Sequence, residues 1–176
     1  MASLITHPVV PVAIAIAAGK KQIHYKLLLI GIFASMLPDA DVIAFRFGIP
    51  YGHMLGHRGL SHSLVFAALF AAAIAYLNAF QGHRLKVFLF VFAATASHGV
   101  LDALTTGGKG VGFFIPFTGE RYFFSLRPIE VSPLTAREFF TGRGLAILAS
   151  EIKAVWLPCA IVAIGGYSLR RIKARA

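Results

Sequence analysis

The feature that most constrains this chain is a set of apolar runs that a small water-soluble core has no room for. Residues 64–80 form a run of 17 with Asn78 as the single amide, and residues 145–169 form a run of 25 whose only charges are Glu151 and Lys153. At about 1.5 Å per residue, each reaches or approaches the ~30 Å of a bilayer's hydrocarbon core. Residues 87–104 make a third span, with His98 and Asp102 in its final turns. Two shorter runs, 8–18 and 27–37, extend through their flanks to 4–19 and 23–38 and read as short spans or a re-entrant hairpin. Hydrophobic residues make up 57% of the chain and charged ones 14%, against roughly 45–50% and 25% in an average soluble domain. The expected fold is all-α: one domain, 1–176, forming a polytopic membrane bundle of about five hydrophobic helices.

The net charge of +10 does not point to nucleic acid, which needs a continuous basic face. The bases sit at the ends of apolar runs instead: Lys20, Lys21 and Lys26; Arg84 and Lys86; Arg170, Arg171, Lys173 and Arg175. Five crossings put all three groups on one side, which the positive-inside tendency makes cytoplasmic. Segments 38–62 and 105–144 then face outward. The second is rich in Gly, Pro and aromatics and reads as a cover at headgroup level. Cys159 has no partner for an internal disulfide. No Lys or Arg precedes the first apolar stretch, unlike a signal peptide. The pairs of residues at 151 and 153 do not share a helix face, so Glu151 and Lys153 are expected to snorkel to the interface.

Counting helix rise from the basic side brings the remaining ionisable groups to one depth. His7 is 12 residues from Gly19, roughly 18 Å up. Asp39 reaches a similar height, His98 roughly 21 Å, and His62 and Asp102 roughly 27 Å. The three aspartates, Asp39, Asp41 and Asp102, all fall in this layer. Charges there cost several kcal/mol unless paired or bound to metal. His98 and Asp102, at i and i+4, share a helix face and form a two-ligand platform. Pro38 is expected to end a helix and leave Asp39 and Asp41 on a turn. His57 and His62 lie on a Gly-bearing turn leading into a span. Mixed imidazole and carboxylate ligands without thiolate suit zinc first and manganese second, as one or two ions. His24 and His83 lie in basic turns and read as solvated; His53 reads as a loop cap.

Several stretches together resemble one family. These are His7, Leu-Pro-Asp-Ala-Asp at 37–41, His-Arg-Gly-Leu-Ser-His-Ser at 57–63, Ser-His-Gly-Val-Leu-Asp at 97–102, and Pro-Phe-Thr-Gly-Glu-Arg-Tyr-Phe-Phe at 116–124. In that order they are similar to the YdjM/YbcI-type bacterial inner-membrane proteins, described as LexA-regulated, candidate metal-dependent hydrolases. A more distant similarity, in the order His, Asp, His, His-x-x-x-Asp, is to the zinc-dependent phospholipase C and P1-type nuclease group. Carried over, it makes His7, Asp39 or Asp41, one of His57 and His62, His98 and Asp102 metal ligands. That group has further His ligands after this motif. After Asp102 this chain has no His, only Glu120, Glu130, Glu138 and Glu151, so three ions are not expected.

The expected function is a metal-dependent hydrolase of the bacterial inner membrane, acting on a lipid or lipid-linked phosphoester near the outer, periplasmic face. Of Asp39 and Asp41, the one not on the metal would accept a proton from water. Arg58, Arg121 and Arg127 are the candidate phosphate binders. The alternative is a scaffold, or a metal-binding or transport protein. Against transport, the spans below the cluster offer only Ser35, Asn78 and Thr95 as polar side chains.

Overall fold

The computed structural model describes residues 1–133, 139 and 143–175; part of the expected cover segment, including Glu138, lies outside them. Five helices are present among the described residues: α1 (Val9–Ala18), α2 (Tyr25–Met36), α3 (Leu64–Ala75), α4 (Arg84–Ala103) and α5 (Gly144–Lys173). The described residues contain no strand, only isolated bridges between Thr105 and Ile129 and between Val111 and Tyr122. Three helices are long and apolar enough to cross a bilayer: α4, α5, and α2 with its continuation, Tyr25–Phe47. The chain is a helical membrane protein. Large apolar side chains such as Leu69, Leu85, Ile161 and Leu169 point outward, as lipid-facing residues do.

Two expectations about the spans change. The run 64–80 is helical only over Leu64–Ala75 before a short 3-10 turn at Asn78–Phe80. At ~1.5 Å per residue it is about 18 Å long, so apolarity there overstated length. The run 27–37 grows instead. The α-helix does stop at Met36, one residue before Leu37-Pro38, but the chain continues as a 3-10 helix over Leu37–Phe47. Proline at this junction lacks the N–H that would bond an α2 carbonyl, and Ser35 O accepts from His98 Nδ1 instead.

Local chemistry fixes the other boundaries. The His24 side chain caps α2 by accepting from Leu27 N–H, and Ser63 caps α3 by accepting from Phe66 N–H at 3.0 Å. Gly19, at φ +85°, ends α1 in a conformation open to glycine. Small residues on α2, α3 and α4, among them Ala34, Ala71, Ala75 and Ala94, are buried with Leu27, Val87, Phe90 and Val91. Small side chains let helices approach closely where lipid supplies no hydrophobic drive.

The helices alternate in direction, so the start of α1, the 3-10 extension of α2, the start of α3, the end of α4 and the first turns of α5 share one end of the bundle. The basic turns occupy the other, where Arg170 donates from Nε to Ala17 O at 2.8 Å. Residues 103–129 fold over the first end: Phe124 N–H bonds to Ala103 O, Ile129 N–H to Leu104 O, and Thr106 N–H to Ile129 O. Glu151 corrects the sequence reading. It does not snorkel but is fully buried at this end, while Lys153 is exposed.

The α1–α5 contact yields a paired prediction. A Cβ on Gly166 would lie 2.7 Å from Ala17 Cα, whereas one on Gly165 would meet nothing within 4 Å. Gly166→Ala should therefore cost about 1–3 kcal/mol through overpacking, and Gly165→Ala should be neutral or slightly stabilising by helix propensity. Melting in detergent checks this; equal effects of the two substitutions would contradict the close approach.

Candidate metal centre

Four chain segments deliver the cluster. The turn before α1 carries His7, the 3-10 helix carries Asp39 and Asp41, the Gly-bearing loop carries His57, Arg58 and His62, and α4 carries His98 and Asp102. One turn apart on α4, His98 and Asp102 face the same way, as their spacing predicts. Asp39, His62, His98 and Asp102 each offer a ligand atom, all within 4.8 Å of one another, and all four residues are buried.

The distances bear on how well the cluster suits a metal ion. His98 Nε2 is 3.3 Å from Asp39 Oδ1, and His62 Nε2 is 3.6 Å from Asp102 Oδ2 and 3.8 Å from Asp39 Oδ1. His7 Nε2 lies 4.0 Å from Asp39 Oδ2 and 3.9 Å from Asp102 Oδ1. Direct N–H···O bonds run about 2.7–3.2 Å. Two ligands at ~2.1 Å from one ion, held at tetrahedral or wider angles, stand roughly 3.4–4.1 Å apart. Four of the five separations fall in the second range, and the 3.3 Å contact lies between the two. His7 Nε2, both Asp39 oxygens, His62 Nε2, His98 Nε2 and Asp102 Oδ2 are buried without a hydrogen-bond partner. Buried polar atoms are normally satisfied, so these converging ones fit a divalent cation.

The backs of the ligands are held. His98 Nδ1–H donates to Ser35 O at 2.7 Å, which leaves Nε2 as the lone pair facing the cluster. Ala2 N–H donates to Asp102 Oδ1 at 2.8 Å. The His7 ring stacks on His98 with centroids 3.7 Å apart. Asp41 faces the outer side of His62, with Oδ2 3.1 Å from Nδ1. It also pairs with His57 Nδ1 at 2.7 Å and accepts from Ser61 Oγ at 2.6 Å and Arg58 N–H at 3.1 Å. Asp41, His57 and His62 form a second ligand-like group, but its 2.7 Å contact is a hydrogen bond rather than the edge of a metal's coordination shell.

Arg58 is buried and sits at φ +63°, an uncommon conformation for a residue with a side chain. Its backbone is held on both sides, by the Asp41 carboxylate and by Gly112 N–H, which donates to Arg58 O at 2.9 Å. Nε lies 2.9 Å from Asp102 Oδ2, close enough for charge balance although outside hydrogen-bond geometry. Nη1 donates to Gly107 O and Nη2 to Thr105 Oγ1. Arg121 is committed to the carbonyls of His57, Tyr51 and His53. Arg127 lies over the Phe123 ring at 5.0 Å and is exposed. His53 accepts from Leu55 N–H at 3.1 Å, the loop cap expected of it.

His62 lies outside the spans. Burial works to lower its pKa, but contacts with Asp102, Asp39 and Asp41 outweigh this and push it up to about 10. Sequence reasoning missed Thr105, which supports Arg58, and Ser61, which supports Asp41. It also missed the link from Ser3 and Thr6 to Glu151. Ser61 sits within the loop motif and could have been suspected; the others carry no local signal.

The YdjM inner membrane protein family matches residues 1–175. The "Inner membrane protein YbcI" of Escherichia coli (strain K12) is 41% identical over 160 residues, covering 90% of this chain and 92% of that protein. No solved structure matches.

Two outcomes are expected for metal binding. His98→Ala and Asp102→Ala should lose bound zinc or manganese, measured by mass spectrometry of purified protein. Because a ligating His62 must release its proton, apparent affinity should rise about tenfold per pH unit between pH 6 and 8. A pH-independent affinity would mean that His62 does not ligate.

Proposed function

The chain belongs to the YdjM inner membrane protein family, and from that premise we propose that it is a membrane-bound, metal-dependent hydrolase of a lipid or lipid-linked phosphoester. The observation that carries the reading is the convergence of buried, unpartnered imidazole and carboxylate atoms at coordination-shell spacing. The family description and the relative's name support an inner-membrane location. The basic turns at the opposite end of the bundle support a periplasmic-side centre.

Asp39, His62, His98 and Asp102 hold one ion, with His7 as a further ligand. Zinc suits this donor set first and manganese second. The hydrogen bonds that close the Asp41–His57 pair favour one ion over two. Such an ion supplies Lewis acidity to a phosphoryl oxygen and lowers the pKa of bound water. Asp39 would bind through Oδ1, the oxygen that faces His98 and His62, which leaves its other oxygen, Oδ2, rather than Asp41, as the candidate base. Asp41 orients His62, a carboxylate–histidine pairing common behind metal ligands. Arg58 balances Asp102. Of the three candidate phosphate binders, exposed Arg127 is the one left for that role.

A second reading is favoured by one observation: His7, His98 and Asp102 have no exposure at all. A structural metal site is closed in this way, whereas a catalytic one keeps an open position. Transport has less support. Ser35 and Thr95, below the cluster, spend their hydroxyls on Ile32 O and Val91 O within their own helices.

The test is a screen of phospholipids and polyprenyl phosphates in mixed micelles with zinc or manganese. Cleavage is expected. Asp39→Asn should abolish it, and Asp41→Asn should lower activity or metal affinity about 10–100-fold. Cobalt substitution separates the two readings: an open site changes its visible spectrum when inorganic phosphate is added. A metal-loaded protein that cleaves none of these lipids and ignores phosphate would leave the structural reading.

A further inference from the structure

Glu151 is a fully buried carboxylate within a membrane-crossing helix, and the chemistry above does not use it. Such a group is costly in an apolar setting unless donors surround it. Here the donors come from the turn that precedes α1. Ser3 N–H donates to Glu151 Oε1, and Ser3 Oγ and Thr6 Oγ1 donate to Oε2. Trp156 Nε1 donates to the same Thr6 hydroxyl at 2.9 Å.

Helix geometry explains how one span makes both contacts. Residues five apart on an α-helix diverge by roughly 140°. Between Glu151 and Trp156 the helix widens into a π-turn, Ile152–Trp156, closed by Leu157 N–H to Ile152 O. An i→i+5 turn brings residues at that spacing toward one side. The widened turn therefore lets Glu151 and Trp156 grip Thr6 together.

The gripped segment leads directly into the metal centre. Thr6 is followed by His7, whose ring lies on His98 and whose Nε2 faces Asp39 and Asp102. Neither ring nitrogen of His7 has a hydrogen-bond partner. The other candidate ligand imidazoles are held through Nδ1, by Ser35 O and by Asp41. His7 lacks such a support on its ring, and the turn before it is what α5 holds.

We infer that Glu151 is a positioning residue of the metal centre: with Trp156, it clamps the Ser3–Thr6 turn and thereby sets His7 as a ligand. This rests on the metal reading above.

The experiment measures zinc affinity by chelator competition, and the visible spectrum of the cobalt-substituted protein, for wild type, Glu151→Ala, His7→Ala and the double variant. Glu151→Ala should weaken zinc binding about 10–100-fold, as loss of a ligand's support does, and shift the cobalt spectrum in the direction His7→Ala does. In the His7→Ala background it should change affinity by no more than about twofold, the scatter of uncoupled sites. Trp156→Phe removes only the indole N–H; it should give a smaller loss that also vanishes without His7, and it answers the question if Glu151→Ala does not fold. Wild-type affinity and spectrum in Glu151→Ala, or a full additional loss on top of His7→Ala, would overturn the inference while metal-loaded wild type leaves the metal reading standing. Wild type that takes up no metal would overturn both.

Discussion

Everything at the closed end of this bundle depends on compensating Asp39 and Asp102, two carboxylates buried close together in an apolar setting. Their burial takes them from bulk solvent, and like charges at such range repel strongly where the effective dielectric is low. Among the groups that answer them is Arg58, whose guanidinium lies against Asp102. Asp39 has no arginine or lysine partner among the described residues; its neighbours are imidazoles. A neutral imidazole presents a lone pair, not charge, unless it takes a proton. An ion between them answers the charge of the carboxylates and the lone pairs together. The cluster therefore offers the donors that a metal ion takes.

The geometry of the bundle follows from that need. Three of the candidate ligands are held from behind. Ser35 O on α2 turns His98, Asp41 turns His62, and Ala2 N–H steadies Asp102. Arg58 can reach Asp102 only because its backbone adopts a positive φ, a conformation that costs about 1–3 kcal/mol and persists where the surroundings over-determine it. Asp41 and Gly112 hold it from both sides. The same Asp41 orients His62, so loop conformation and ligand orientation share one carboxylate.

Much of this was legible in the sequence. Helix rise and the edges of apolar runs place His7, Asp39, His62, His98 and Asp102 at one depth, and the structure brings those residues together. Spacing could not say which of His57 and His62 turns inward, because both lie on a loop whose path is set by Arg58 and Gly59 rather than by a repeat. A Cβ on Gly59 would meet Met54 O at 2.2 Å, a tight reversal that only the folded loop reveals. Glu151 was misjudged for a different reason. Its spacing from Lys153 suggests two interfacial charges, but burial was decided by a distant turn at residues 3–6 that periodicity along α5 cannot see. The length of α3 was overstated because apolarity reports burial or lipid contact, not where a helix ends.

The burial of the centre and its proposed chemistry are linked through Arg58. Its Nη groups bind Gly107 O and Thr105 Oγ1 in the cover, while its Nε balances Asp102 within the cluster. Thr105 Oγ1 in turn donates to Asp102 O at the end of α4. The cover is therefore not a separate flap resting on a finished site. Displacing residues 105–107 takes hydrogen-bond acceptors from the guanidinium that compensates a buried carboxylate. The cluster and the segment that covers it thus share one guanidinium, held by Asp102 on one side and by Thr105 and Gly107 on the other.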